Sequence, residues 1–315
     1  MLNPLNQKLL TILKLKGIGP ATLQKILNIS GFAEASLDDL AALNSPLSKA
    51  ISVQDAWSNA QRAVDHDISI AEKTNTRILS ILDEDYPILL KETSDKPFFL
   101  YVQGQFSQDP LKSVAIIGTR EPTDHGAIMA ERITSYMSST NWSVVSGLAI
   151  GCDGLAHQSA LNNQGHTIAV LAHGLHTIAP KQHIKLAEQI LSSGGALISE
   201  YGFGVDPHPS HFIKRDRTQA GLSKGVVMIQ SDSDGGSLHA ARAAISYSRV
   251  LAIPLPTEKD LNNSEKKIQA NKILCTGLPD EKAKLLDCPE DELKHLFIIR
   301  NKEDYQTLAL KLLGN

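Results

Sequence analysis

Cysteine is scarce. Cys152, Cys275 and Cys288 are the only three in the chain, odd in number and widely spaced. They match no metal-ligand pattern, which excludes a disulfide framework or zinc knuckle and leaves reduced thiols with a packing role. No run of about 18 apolar residues is present to cross a bilayer. The opening residues MLNPLNQKLL lack the basic start and cleavage site of a secretory signal. A cytoplasmic protein with no membrane partner is therefore expected. An excess of one charge is missing too: 31 Lys and Arg against 34 Asp and Glu give a formal net charge of -3. Any polyanion site must be local.

Several catalytic signatures are also missing. The first strand of the regular region runs into G-T-R-E-P instead of G-x-G-x-x-G, and no G-x-x-x-x-G-K-[ST] occurs. This argues against an ordinary dinucleotide site and against a Walker A ATPase. His173 and His176, or His208 and His211, have no neighbouring carboxylate or Cys to complete a metal site. Gly221-Leu222-Ser223-Lys224-Gly225 matches G-x-S-x-G but precedes a strand, the reverse of a nucleophile elbow. Asp153 and His157 read as a helix-start charge and a packing contact. No catalytic residue, metal or cofactor is expected.

What is present is a chain of 315 residues, 42% hydrophobic and 21% charged, long enough for a sizeable core and two domains. Residues 1–72 carry helical spacing in LNQKLLTILKLKG, ATLQKILNI, LDDLAAL and AISVQDAWSNAQRAV, which predicts a small all-helical domain. Within it, Gly17-Ile18-Gly19 followed by Pro20 forms a helix-hairpin-helix pattern. Such hairpin amides hold a nucleic-acid phosphate in some proteins and serve as plain structure or a protein contact in others. Residues 73–256 open with a strap bearing β-type runs at Ile78–Leu82 and Phe98–Val102. Six apolar runs then alternate with helix-length segments: SVAIIG, WSVVSG, HTIAVLAHG, GALISEY, GVVMIQS and RVLAIP. Strands without hydrophobic/polar alternation are buried on both faces, so the fold class is α/β, doubly wound around a mostly parallel sheet. Residues 257–315 read as a helical extension, the least informative part of the chain.

Ligands of open parallel sheets sit beyond the carboxyl ends of the strands. Here those ends are Gly118-Thr119-Arg120, Ser146-Gly147-Leu148-Ala149, His173-Gly174 and the turn from Ser231 to Ser237. Gly235-Gly236-Ser237 opens a helix, where free amides and the dipole favour an anion. The competing reading is that these glycines only make tight turns. Between the fourth and fifth runs, Lys214, Arg215 and Arg217 lie beside Phe212, cations for a backbone and a ring for a base, as single-stranded nucleic acid requires. A solvated helix start laced with salt bridges has the same composition. Lys181 and Lys185 extend the same rim.

The ordered stretches SVAIIGTREPTDHG, VVSGLAIGCDGLAHQSAL, TIAVLAHGL, ALISEYGFG, HFIKRDRTQAGLS, GGSLHAARAA and RVLAIP, over about 113–256, resemble the DNA-processing protein A family, also called DprA or Smf. The helical N-terminal part is similar to that family's sterile-alpha-motif-like domain. The resemblance implies an extended Rossmann-like fold and a non-enzymatic protein that binds single-stranded DNA. It also implies a homodimer that helps load the RecA recombinase during DNA uptake (natural transformation) or recombination. Carried over by motif, Arg120, Lys181, Lys214 and Arg215 form a cationic groove. Ser146, Gly147, Gly236 and Ser237 line a phosphate-sized pocket, Phe212 stacks on a base, and Arg217 matches the second arginine of an R-N-R motif. Departures from the family pattern are Asp216 for the usual Asn, S-D-G-G-S for S-G-S, no clear N-x-L-I after 256 and no recognisable winged-helix tail. The alternative is a nucleotide-binding Rossmann-like hydrolase or sensor. Such proteins carry P-G-G-x-G-T and a catalytic Glu on the next helix, and Gly235-Gly236-Ser237-Leu238-His239 places no Glu there.

Overall fold

The computed structural model describes residues 2–314. Contacts divide the chain into two units, one comprising residues up to Asp85 with Pro97–Tyr101, the other Tyr86–Lys96 with everything from Val102 onward. The first unit holds α1 (Pro4–Lys14), α2 (Pro20–Leu27), α3 (Leu37–Ala42), α4 (Ser45–Ile51), α5 (Ala56–Lys73) and β1 (Thr76–Ser80). It thus extends past the helices to take in the first strand of the strap.

Local chemistry starts these helices. The Asn3 side chain accepts from the Asn6 amide ahead of Pro4, Ser36 and Asp39 form a capping box, and Asn44 accepts from the Leu47 amide. Leu9, Leu10, Ile12, Leu23, Ile26, Leu40, Leu47 and Val64 fill the interior. Asp67 is buried among them, held by Lys14 Nζ at 2.7 Å and by the Tyr101 hydroxyl at 2.6 Å. In the hairpin between α1 and α2, Gly17 has φ of +84° with open space around it, so backbone conformation alone calls for glycine there.

The second unit continues through α6 (Ile88–Lys91), β2 (Phe99–Gly104, shared with the first), β3 (Ser113–Ile117), α7 (Asp124–Ser139), β4 (Ser143–Ser146), α8 (Cys152–Asn162) and β5 (Thr167–Leu171). Then come α9 (Ile184–Ser192), β6 (Ala196–Ser199), α10 (Pro209–Gly221), β7 (Gly225–Met228), α11 (Ser237–Ser246) and β8 (Val250–Pro254). The chain closes with α12 (Glu258–Asn262), α13 (Gln269–Thr276), α14 (Pro279–Leu286), β9 (Leu296–Ile299) and α15 (Asp304–Leu313). Seven strands pair in parallel in the order β6-β5-β4-β3-β7-β8-β9. From β3 to β6 each new strand adds on one side; β7 then starts the other. The reversal between β3 and β7 opens a crevice at their carboxyl ends, the usual ligand position in such sheets.

The six strands from β3 to β8 are buried throughout, which is why they lack alternation. β9 departs from the helical expectation for residues 257–315. Its four residues are mostly half-buried at the sheet edge, too short and too exposed to show as an apolar run. Ile299, Tyr305, Leu308 and Leu312 join the core around Val114, Ile133 and Trp142, so this segment closes the sheet instead of trailing from it.

Candidate nucleic-acid interface

At the crevice lies a cavity of about 420 Å³, within the range of small-ligand sites. Three strand-end segments, the helix α10 and one later residue build it. After β3 come Gly118, Thr119 and Arg120; after β4, Ala149 and Asp153; α10 gives Phe212, Ile213, Arg215, Asp216 and Gln219; after β7 come Ser231, Asp232 and Gly235–Ser237; the last is Lys267.

The turn after β3 is stitched to its neighbours. Thr119 N donates to Gln230 O at 2.8 Å and Thr119 O accepts from Cys152 N at 3.1 Å. A Cβ on Gly118 would stand 2.6 Å from Cys152 Sγ, so this glycine admits the buried thiol as well as bordering the cavity. A Cβ on Gly151 would stand 2.5 Å from the Arg120 carbonyl, closing the β4 loop against the same turn. Arg120 is exposed, and its guanidinium lies 5.7 Å from the centre of the half-buried Phe212 ring. No carboxylate pairs with it among the described residues.

Ser146 and Gly147 sit behind the cavity wall and do not line it. Ser146 is fully buried and donates to Ile116 O at 2.6 Å. Gly147 makes room for Arg215, whose guanidinium carbon would lie 2.5 Å from a Cβ there. Arg215 itself is only 4% exposed. Its Nη1 donates to Gly147 O at 2.7 Å and to Val170 O, and its Nε donates to Asp216 Oδ1 at 3.1 Å. The expected free cation is thus turned inward, where it ties the ends of β4 and β5 to α10. Arg217 also departs from the groove: Nη2 pairs with Glu200 at 2.6 Å and Nη1 donates to Asp95 O at 2.7 Å. Lys214 and Lys181 are exposed, but neither borders the cavity. Lys181 instead borders a shallow groove beside α9.

Gly235 is packed against Ser231 Oγ, whereas Gly236 faces open space at the start of α11, followed by Ser237. The sequence-predicted residues brought together at the cavity are therefore Gly118, Thr119, Arg120, Phe212, Arg215, Gly235, Gly236 and Ser237.

Acidic residues also line the cavity, which strand-end reasoning missed. Asp153 Oδ2 accepts from Gly147 N at 3.1 Å and Ala149 N at 3.4 Å. Burial pushes its pKa up to about 6, against the opposing pull of Arg215. Asp216 is raised by burial too, with Oδ1 taken up by Arg215 and by Gln219 Nε2 at 3.0 Å. The inner end of the cavity holds Asp153 and Asp216 beside the committed Arg215, and the outer part holds Arg120 and Lys267 with Asp232. Lys267 was missed because it follows β8, on a segment read as helical extension. A signal did exist: Asn271-Lys272-Ile273-Leu274 stands where an N-x-L-I pattern was sought. Asn271 pins that segment, its Nδ2 donating to Ile229 O at 2.8 Å and its Oδ1 accepting from Ser231 N at 3.0 Å.

The G-x-S-x-G serine, Ser223, is fully buried and donates to Gln219 O at 3.0 Å. His208 caps α10 and His211 stacks on Tyr201, and no metal-holding cluster occurs among the described residues. No helix among them is long and apolar enough to cross a membrane.

Comparison with known proteins agrees with this architecture. A family model for DNA recombination-mediator protein A matches residues 77–296. Protein Smf of Escherichia coli K12 is 35% identical over 197 residues, covering 62% of this chain and 53% of that protein. DNA processing protein DprA of Streptococcus pneumoniae R6 is 35% identical over 215 residues, covering 68% and 72%. The match spans about half the length of the Escherichia coli relative. The X-ray structure of DNA processing protein A from Streptococcus pneumoniae superposes with a TM-score of 0.70 at 27% identity, covering 96% of each chain. A solved structure of DNA processing protein A from Helicobacter pylori, described for its single-stranded DNA binding mode, gives 0.58 at 26% identity, covering 76% of this chain and 96% of that one. With the family model matching residues 77–296 and a fold that superposes on DNA processing protein A over nearly the whole chain, the chain belongs to the DNA recombination-mediator protein A family.

Proposed function

We propose that this protein binds single-stranded DNA across the mouth of the cavity, without catalysing a reaction on it, and delivers the strand to the RecA recombinase. The observation that carries the reading is Arg120, an exposed guanidinium with no carboxylate partner, set beside the half-buried ring of Phe212 at the strand-order reversal. A guanidinium grips a phosphate bidentately, and an aromatic face accepts any base. The Helicobacter pylori relative's single-stranded DNA binding supports the ligand class. Gly236 and Ser237 supply a helix start for a neighbouring phosphate, and exposed Lys214 and Lys181 lengthen the path of the strand. The family's recombination-mediator role supports a part in DNA uptake or recombination, carried out as the homodimer that the sequence resemblance implies. Three free thiols, one buried and two half-buried, suit the reducing cytoplasm.

A titration of single-stranded and duplex DNA of equal length at two salt concentrations tests the reading. Tighter binding of the single strand is expected, with log K falling by ~0.7 per log salt for each phosphate contacted. Preference for the duplex overturns it. One observation favours the rival nucleotide sensor or hydrolase: a cavity of small-ligand size containing a carboxyl raised to about 6. Thermal stabilisation or turnover with mononucleotides, in the absence of strand binding, would establish that rival.

A further inference from the structure

We infer that Lys267 is a second phosphate-binding cation at the cavity mouth, held by Glu121 in the free protein and released from it when a strand arrives. This rests on the single-strand reading. Three cations border the cavity: Arg120, Arg215 and Lys267. Arg215 is committed to Gly147 O, Val170 O and Asp216. Asp153 and Asp216 occupy the buried end, where a phosphate would meet two carboxyls at closest range in a poorly solvated setting. A phosphate therefore meets two cations against one carboxylate, Asp232, only at the mouth, between Arg120 and Lys267.

Lys267 Nζ lies 2.9 Å from Glu121 Oε2, its ion-pair partner. Glu121 follows Arg120 directly, is 79% exposed and does not border the cavity. Such an exposed pair is worth ~0–1 kcal/mol, so a phosphate in the mouth can take the ammonium and leave the carboxylate to water. The lysine is on a fixed base. Lys267 N donates to Glu265 Oε1 at 2.9 Å, Ile268 is buried, and Ala270 N donates to Ser231 O at 3.0 Å. The Glu121 carboxylate, with smaller contributions from Glu265 and Asp232, raises the Lys267 pKa. The exchange therefore moves one solvent-exposed glutamate and leaves the fold unchanged. It also gives the segment after β8 a part in binding, beyond closing the core.

The test is fluorescence anisotropy with a labelled single-stranded oligothymidylate on the full chain, using Glu121→Gln, Lys267→Ala and the double variant. Thermal melts check the fold. Glu121→Gln should tighten binding about two- to fivefold, the size of a released exposed pair. Lys267→Ala should weaken it and lower the salt slope by ~0.7. In the Lys267→Ala background, Glu121→Gln should add nothing. Equal tightening in both backgrounds would reduce Glu121 to a general charge effect and overturn the exchange. If the parent binds and Arg120→Ala binds poorly, parent-like affinity and slope for Lys267→Ala would overturn this inference and leave the single-strand reading standing. If the parent does not bind the oligonucleotide at all, both fall.

Discussion

Replacing Arg215 with alanine is expected to cost stability before it costs affinity. The substitution removes donors from Gly147 O, Val170 O and Asp216 Oδ1, all from a residue 4% exposed. It also strips the nearby positive charge from the buried Asp153 and half-buried Asp216 carboxyls. Removing one partner of a buried ion pair costs ~3–5 kcal/mol, and the orphaned carbonyls push toward the upper end. At ~2–4 °C per kcal/mol for a domain of this size, the melting temperature should fall by roughly 10 °C or more. Arg120→Ala is the control, since an exposed side chain with no ion-pair partner, only the Phe212 ring beside it, changes stability by ~0.5 kcal/mol. Arg215→Met combined with Asp216→Asn should recover part of the loss, because it removes one of the stranded charges. Thermal and urea unfolding followed by circular dichroism measure all three. If Arg215→Ala melts within 2 °C (about 1 kcal/mol or less) of the parent yet loses single-strand binding, Arg215 is free to meet the ligand and the inward assignment is wrong.

Gly118→Ala should destabilise the protein by ~1–3 kcal/mol, because its Cβ would stand 2.6 Å from Cys152 Sγ; Cys152→Ala in the same chain should return part of that in urea unfolding. Arg217→Ala leaves buried Glu200 without its cation and Asp95 with only the Tyr247 hydroxyl. It should lower stability by about 3 kcal/mol and speed amide exchange in residues 87–96, with strand affinity unchanged. Burial raises Asp153 from 3.8 to about 6. Its contribution to stability is therefore complete below pH 3.8 and lost as pH rises through about 6. Relative to Asp153→Asn, the parent should gain on the order of 3 kcal/mol between pH 8 and pH 4 in urea unfolding. Buried His157, whose pKa falls to about 3, acts in the opposite sense as pH drops below 6.5, but both chains carry it.

Burial decided what could be read in advance. β3 to β8 were legible because each is buried along its whole length and centred on an apolar run, whereas half-buried β9 was not. At the site, Gly118-Thr119-Arg120 and Gly235-Gly236-Ser237 were legible because strand ends in a parallel sheet converge. The three cations of α10 were not separable. Lys214 points out while Arg215, Thr218 and Gln219 are buried, so this helix packs a polar face, and hydrophobic periodicity carries no phase for such a face. The buried polar groups that anchor this face find partners far along the chain, as Arg215 does with Gly147, 68 residues apart, and Thr218 with Glu200, 18 apart. Lys267 escaped for the same reason: its place at the mouth depends on Asn271 reaching back to Ile229 and Ser231.

The central claim, that the cavity mouth holds a phosphate of single-stranded DNA on Arg120, is tested most directly by the salt dependence of binding for the parent and Arg120→Ala. The variant should keep the parent's melting temperature, bind more weakly on every base sequence, and show a slope of log K against log salt reduced by ~0.7. Arg120→Lys should recover only part of the affinity, since it restores the charge without the planar fork. An Arg120→Ala protein that binds a single strand as tightly as the parent, with the same slope, would contradict the account.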